Sequence, residues 1–209
     1  PKEARRGHLG TGRLTNYALK NCQIIIGEDF DHNQEVQELL NSPQIYPMIL
    51  YPGEGSINLS TTVLEPQSFA GKTPLVFIID GSWPCAKSMM RDSKTLHALP
   101  RVSFDSAIES RFVIKHQPAK YCLSTIESTY ILLGLLEQQG LESIGPSKDS
   151  MIEALDQLVK FHIKCASDPT MKHYDRKGGS YKDPSQRKPS RKWEYREICF
   201  DQKNYLNQM

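Results

Sequence analysis

Short apolar runs alternate along the chain with segments that have helical periodicity. The apolar runs predict strands at residues 22–26, 47–51, 75–79, 101–104 and 111–114. Apolar positions at helical spacing predict helices at residues 33–40, 84–94, 124–139 and 147–166. Strands that alternate with helices are typical of an α/β domain with a largely parallel sheet.

Four of these segments carry more specific signals. Residues 75–79 are apolar at every position, as in a strand covered on both faces. Pro84 suits the first turn of a helix, where its missing N–H would be unpaired anyway. Ser124 and Glu127 form a capping box before the next helix. His162 lies on the apolar stripe of the last predicted helix, which favours a packed core histidine over a catalytic one.

Ligands of open α/β sheets bind beyond the carboxyl ends of the strands, so the residues that follow each apolar run are candidates for a binding site. Tyr51-Pro52-Gly53 and Asp80-Gly81-Ser82-Trp83 follow two strands, and Leu123-Ser124-Thr125-Ile126-Glu127 precedes a long helix. An exposed acid, a tight glycine turn, a hydroxyl and an aromatic ring could hold a flat heterocycle and move a proton. Phosphate-loop and dinucleotide-binding motifs are absent, which argues against nucleotide hydrolysis and a standard Rossmann site.

The uneven distribution of charge changes this picture. The chain has 209 residues, 38% hydrophobic and 24% charged, with a net charge of +2, which fits one domain with appendages. Residues 172–192 hold eight Lys or Arg against two acids, so the rest of the chain sums to minus four. With its glycines, prolines and two tyrosines, this segment is typical of a mobile basic arm that meets nucleic acid, or of a solubilising linker.

The sequence argues against a membrane protein, a secreted protein and a disulfide-bonded or metal-binding protein. No apolar run approaches the roughly 20 residues that cross a bilayer, and the polar start lacks the apolar region of a signal peptide. We therefore expect a protein without membrane contact in the cytoplasm, with the nucleus as the alternative in a eukaryote. The five cysteines are widely spread and never paired as C-x-x-C, which predicts reduced thiols and no metal site.

Five ordered motifs resemble the DTW-domain family of tRNA-uridine aminocarboxypropyltransferases. They cover about residues 1–140 and are Thr11-Gly12-Arg13-Leu14, Leu50-Tyr51-Pro52-Gly53, Asp80-Gly81-Ser82-Trp83 with Ala86-Lys87, Leu96 with Leu99-Pro100-Arg101-Val102, and Leu123-Ser124-Thr125-Ile126-Glu127. The family's Asp-x-Thr-Trp is Asp80-x-Ser82-Trp83 here, which keeps the hydroxyl. Many members also begin with a cysteine-rich zinc-binding stretch, and this sequence starts just past where it would lie. Either the stretch has been removed or this branch of the family lacks it, so no metal is expected in these 209 residues.

The resemblance implies a SPOUT-like α/β sheet with a trefoil knot flanked by helices, in a catalytic domain at residues 1–166, followed by a basic C-terminal extension at 167–209. It implies S-adenosylmethionine (SAM) as donor substrate and tRNA as partner. The family transfers the 3-amino-3-carboxypropyl group of SAM to the imide nitrogen of a uridine and releases methylthioadenosine. A SAM-dependent RNA methyltransferase of related fold and a non-catalytic RNA-binding module remain as alternatives.

Site residues follow from the matched motifs. Asp80 and Ser82 are the catalytic candidates, with Asp80 as a general base, as a positioning group or as a structural residue that caps its turn. Trp83 is either a core anchor or a wall for a base, and Ser124 has a sufficient structural reason in its capping box. The predicted SAM-binding residues are Leu50, Tyr51, Pro52, Gly53, Asp80, Gly81, Ser82, Trp83, Leu99, Pro100, Leu123, Ser124 and Thr125. The predicted RNA-binding residues are Arg13, Lys87, Arg101, Arg111, Lys177, Arg187 and Lys188.

Overall fold

The sheet of this protein is small and entirely parallel. A computed structural model describes residues 10–106, 108–114 and 122–168. Its strands are β1 (Ile45–Leu50), β2 (Ile57–Asn58), β3 (Thr73–Ile78) and β4 (Arg101–Ser103), in the spatial order β2-β4-β1-β3. The predicted α/β class with a parallel sheet is confirmed. Strand β2 has only two residues, too few for an apolar pattern to predict it.

Six α-helices surround the sheet in the described part of the chain. They are α1 (Thr11–Ala18), α2 (Gln34–Asn41), α3 (Trp83–Asp92), α4 (Lys94–His97), α5 (Thr125–Gln138) and α6 (Asp149–Ser167), with short 3-10 turns at Pro66–Phe69 and Gly145–Lys148. A local signal explains where α2 begins: the Asn33 side chain accepts from the Val36 N–H at 3.0 Å, as an N-cap does. The four predicted helices are confirmed, whereas α1 and α4 are additional.

Both faces of the sheet are covered. On one face, Met48 and Val102 pack with Leu132 and Leu136 of α5. On the other, Ile49 packs with Met90 of α3 and Leu96 of α4, among others, and the partly buried Met89 packs against the same cluster. Strand β3 lies at the sheet edge, yet its residues contact both clusters alternately, which explains its continuous apolar run.

A third apolar cluster joins the helices away from the sheet. Phe112 packs with Ile126 of α5 and with Met151, Leu155 and Val159 of α6, and Leu14 of α1 packs against them. The apolar stripe predicted for α6 is therefore confirmed at its centre. His162 is half-buried with its ring edge-on to Phe161, the centroids 6.2 Å apart.

Two predicted strands are wrong. Residues 22–26 form an irregular connection in which Ile25 contacts the core while Ile24 and Ile26 are 45% and 58% exposed. Residues 111–114 form a turn, because the Arg111 N–H donates to the Glu127 carboxylate instead of to a neighbouring strand. An apolar run indicates burial, but ladder partners come only from tertiary structure.

None of the helices that the structure describes is long and apolar enough to cross a membrane. Four cysteines fall within the described ranges, namely Cys22, Cys85, Cys122 and Cys165, and all four are free thiols. The predicted basic arm at residues 172–192 lies outside the described residues.

Candidate active site

The candidate site lies where the parallel strands end. Leu50 pairs with Ile78 in the register of β1 and β3. Tyr51 and Asp80 therefore follow neighbouring strands and lie at the same end of the sheet, beyond the carboxyl ends of these strands. The Tyr51 N–H donates to the Val102 carbonyl at 3.1 Å, which continues the pairing of β1 with β4 past the strand end. Two of the segments predicted at strand ends therefore lie close together.

Asp80 joins three motifs that are far apart in the sequence. The Thr125 hydroxyl, at the start of α5, donates to Asp80 Oδ1 at 2.6 Å. Gly12, in the first turn of α1, packs directly on the same carboxylate: a Cβ added there would lie 2.5 and 2.8 Å from its two oxygens. The Asp80 residue nonetheless remains exposed, so a substrate can reach it.

The environment of Asp80 bears on its predicted roles. It does not cap its own turn, because the residue at the N-cap of α3 is Ser82, and its side-chain bond is made to a different helix. Its carboxylate lies at the N-termini of α1 and α5, where helix dipoles are positive. The capping interpretation therefore loses its geometric basis, while the general base and the positioning group stay predictions.

The hydroxyl of Ser82 has a partner in its own helix. It donates to Cys85 Sγ at 3.1 Å and is exposed, whereas Trp83 beside it is half-buried. A Cβ at Gly81 would lie 3.4 Å from both Cys85 and Met89, which is an ordinary van der Waals contact. The chemical role of this motif stays a prediction.

Ser124 and Glu127 form the predicted capping box of α5. The Glu127 carboxylate accepts from the Ser124 N–H at 2.8 Å and from the Ser124 hydroxyl at 2.5 Å. It also accepts from the Ser110 hydroxyl at 2.8 Å and from the Arg111 N–H at 2.6 Å. Both Ser124 and Glu127 are buried. Glu127 therefore ties the 108–114 segment to the helix that holds Thr125 against Asp80.

Replacing Glu127 by alanine is expected to lower the free energy of unfolding by about 3 kcal/mol, since buried donors would lose a charged acceptor. Chemical denaturation of the variant measures this. Glu142→Ala, which changes an exposed glutamate, is the control and is expected to shift stability by less than about 0.5 kcal/mol. An unchanged stability of the Glu127 variant would contradict the structural role.

The loop after β1 is held by Arg101. The guanidinium lies over the Tyr51 ring, with Cζ 5.9 Å from its centroid, and Nη1 would be 3.5 Å from a Cβ at Gly53. Gly53 has a φ of +144°, which strongly favours glycine. Arg101 Nη2 also donates to His97 Nε2 at 3.0 Å, and a guanidinium has no acceptor, so this bond requires that nitrogen to be unprotonated.

Lys87 and Arg101, both predicted to bind RNA, line one groove of about 450 Å³. Arg91, Lys94 and His97 line it as well, with Tyr51 and Met90 at its wall. We call this the basic groove. The sequence interpretation missed these three additional residues, although the spacing of Lys87 and Arg91, four apart on α3, is a signal that could have indicated them.

The short helix α4, which carries Lys94 and His97, is fixed from a distant segment. The Asp31 carboxylate accepts from the N–H groups of Lys94 and Thr95 and from the Thr95 hydroxyl, at 2.7 to 3.0 Å. The Thr95 N–H in particular holds the pKa of Asp31 below its usual range. Asp31 thus accepts from the first N–H groups of α4, as an N-cap side chain does, although it lies 63 residues from Lys94 in the sequence.

The remaining predicted RNA contacts are dispersed. Arg13 is exposed on α1, and Arg111 pairs with Asp156 of α6 at 3.0 Å. Lys177, Arg187 and Lys188 lie outside the described residues. Of the predicted SAM contacts, Leu99 and Leu123 are half-buried and Pro100 is exposed, and the Pro100 carbonyl accepts from the Ile49 N–H at 2.9 Å.

Comparison with known proteins supports the resemblance of the motifs. The chain is 29% identical over 197 residues to "tRNA-uridine aminocarboxypropyltransferase 2" of Drosophila melanogaster, covering 91% of this chain and 73% of that protein. Proteins of the same name from Macaca fascicularis and Mus musculus are 26% and 25% identical over 78% of this chain. The chain spans about half the length of these two, 52% of each. No solved structure matches it.

The motifs that meet at Asp80 are thus found within a recognised domain. The family described as "DTW domain" matches residues 1–163, which include α1, the sheet, α3 and α5, and most of α6. This chain belongs to the DTW-domain family.

Proposed function

We propose that this protein transfers the 3-amino-3-carboxypropyl group of SAM to N3 of a uridine in tRNA, with methylthioadenosine as the second product. The observation that carries the proposal is the meeting of three family motifs at one exposed carboxylate, Asp80, through Thr125 and Gly12. Relatives named tRNA-uridine aminocarboxypropyltransferase support the same reaction. The SPOUT-like knotted fold is part of this proposal, and the parallel sheet is compatible with it.

The residues beyond the carboxyl ends of the strands fit SAM chemically. Asp80 offers a negative charge that suits a sulfonium cation, and the half-buried rings of Tyr51 and Trp83 suit an adenine. Gly53, with a φ of +144°, gives the segment after β1 its turn. The segments 50–53, 80–83, 99–100 and 123–125 would together hold the donor.

When bound, SAM supplies a carbon activated by the sulfonium charge. Three carbons share that activation, so the protein selects one by geometry, presenting it in line with the uridine nitrogen. Two residues of this site have partners that orient them: the Arg101 guanidinium lies over the Tyr51 ring, and the Thr125 hydroxyl donates to Asp80. We assign the selection of the aminocarboxypropyl carbon to the segments that contain Tyr51 and Asp80.

Asp80 acts on the uridine. The imide N3 carries a proton at neutral pH and is a poor nucleophile, so a carboxylate that accepts this proton assists bond formation. Asp80 has an exposed carboxylate, and the Thr125 hydroxyl fixes its orientation. In this mechanism the N3 proton passes to Asp80 and then to solvent.

The test is incubation of the protein with total tRNA and SAM labelled in the carboxypropyl chain, followed by nucleoside mass spectrometry. The expected result is label on a uridine together with released methylthioadenosine. Methylated nucleoside with S-adenosylhomocysteine would instead identify a methyltransferase. A folded sample that binds tRNA but shows no SAM binding by calorimetry would identify a non-catalytic RNA-binding module.

A further inference from the structure

The basic groove carries a charge pattern that the transfer reaction does not require. Lys87, Arg91, Lys94 and Arg101 bring four basic side chains to one depression, and no acidic side chain is among the described residues that line it. These four charges exceed the net charge of +2 of the whole chain. A polyanion approaching the protein would therefore be attracted to this groove.

Arg91 forms an ion pair with its neighbour on α3. Arg91 donates to the Asp92 carboxylate through Nε at 2.7 Å and Nη2 at 2.9 Å. Both side chains are largely solvent-exposed, at 72% and 41%, so the pair is weak and a phosphate can compete with Asp92 for the guanidinium. The basic side chains of the groove come from three elements, with Lys87 and Arg91 on α3, Lys94 on α4 and Arg101 at the start of β4.

The groove has a fixed geometry and not only a high charge. Arg101 is held between His97 and Tyr51, and Asp31 holds the first turn of α4 at Lys94. A guanidinium fixed in this way loses less side-chain entropy when it binds an anion. Because the cations come from separate elements, the groove suits several linked anionic groups better than one carboxylate.

The groove and the proposed active site share Tyr51. Helix α3 begins three residues after Asp80 and carries Lys87 and Arg91 one and two turns further on. Tyr51, at the other side, leaves the sheet on the strand next to that of Asp80. A chain of nucleotides with its target base at Asp80 would thus bring its neighbouring phosphates towards the basic groove.

We propose that the basic groove binds the phosphodiester backbone of the RNA substrate beside the modified nucleotide. The inference rests on the proposed function for the position of that nucleotide, but phosphate binding itself can be measured without catalysis. It assigns Arg91 and Lys94, together with Lys87 and Arg101, to RNA binding within the folded domain, with His97 as a partner that holds Arg101. RNA binding then has a source besides the basic arm.

The experiment uses the full chain with Lys87→Gln and Lys94→Gln combined, which removes two charges and leaves Arg101 and the Tyr51 loop intact. Each phosphate contact contributes about 0.7–0.9 to the slope of log K against log salt, so the slope for total tRNA is expected to fall by about 1.4–1.8. Over the tenfold range from the 1 M reference to 0.1 M salt, this slope change corresponds to a fall in affinity of roughly 25- to 60-fold.

The matched control is Lys160→Gln combined with Lys164→Gln. Both lysines are exposed on α6, which packs with α1 and α5, whereas α3 and α4 cover the opposite face of the sheet. This pair also removes two charges, and its tRNA salt slope is expected to match that of the wild type. Thermal unfolding of both double variants verifies that each is folded.

Two outcomes would overturn the proposal. An unchanged tRNA salt slope in the groove variant would show that the groove does not contact phosphates. A loss of SAM affinity, measured by calorimetry, with an unchanged slope would assign the groove to the carboxylate of the donor. Failure of the proposed function is distinct, because it appears in the wild type as the absence of labelled uridine while tRNA binding persists.

Discussion

Replacing Asp80 by asparagine is expected to lower the turnover of uridine modification by roughly 10²–10⁴-fold, the range that a general base contributes. Asparagine keeps the shape and can still accept from the Thr125 hydroxyl through its amide oxygen, so the fold should be retained. The measurement is the single-turnover rate with total tRNA and saturating SAM, with thermal unfolding as the check on folding.

The structure offers a matched control for this variant. Asp105 is also exposed and follows the parallel strand β4, where it accepts from Asn58 at 2.9 Å. It lies outside the family motifs, and Asp105→Asn is expected to keep its turnover within about twofold of the wild type, as surface substitutions usually have small effects. A normal single-turnover rate in Asp80→Asn would return Asp80 to a structural role.

Replacing Gly12 by alanine should damage the site more than the fold. The added Cβ would lie 2.5 and 2.8 Å from the Asp80 carboxylate oxygens, so the carboxylate must move and its bond to Thr125 is disturbed. A displacement of about 1 Å at a reacting group can cost about 10²-fold in rate, and we expect a loss of at least that size. Single-turnover kinetics and denaturant unfolding separate the two effects.

The stability effect of Gly12→Ala is expected to be small. Overpacking costs about 1–3 kcal/mol, but alanine gains about 1 kcal/mol over glycine in a helix, and a carboxylate at the end of a short side chain can turn away. Gly134→Ala is the control, because Gly134 is also helical and a Cβ there would meet only Lys148 Nζ, at 3.6 Å. Full activity in Gly12→Ala would mean that the position of the Asp80 carboxylate is not critical.

A double variant tests the same contact independently. In an Asp80→Ala background the carboxylate is gone, so adding Gly12→Ala should no longer strain the protein and should slightly stabilise it. If the stability effects of the two substitutions add without coupling, the close approach of Gly12 to Asp80 is not present in solution.

The sequence by itself determined the class of the fold and the positions of its strongest elements. Helix α5 was predictable because Ser124 and Glu127 form its cap locally, and β1 and β3 because continuous apolar runs must be buried. The motifs placed Asp80 and Tyr51 directly after strands. Because the carboxyl ends of parallel strands lie at the same end of the sheet, that end was the expected site.

Only the tertiary structure decided which residues meet there. Nothing local to Gly12 or Thr125 indicates that both contact Asp80, since these contacts join elements separated by 68 and 45 residues. The same reason explains the failed strands. The apolar residues at 22–26 could be buried without a ladder partner, and the Arg111 N–H found its acceptor in Glu127, 16 residues away.

The basic groove shows the same division. Sequence indicated Lys87 and Arg101 one by one, as basic residues within motifs, but their convergence with Arg91, Lys94 and His97 depends on where α3 ends and α4 begins. That turn is fixed by Ser93, a fully buried residue whose hydroxyl accepts from the Phe30 N–H at 3.0 Å, and by Asp31 beside it. Long-range hydrogen bonds, which a local sequence pattern does not encode, therefore bring the basic residues of the groove together.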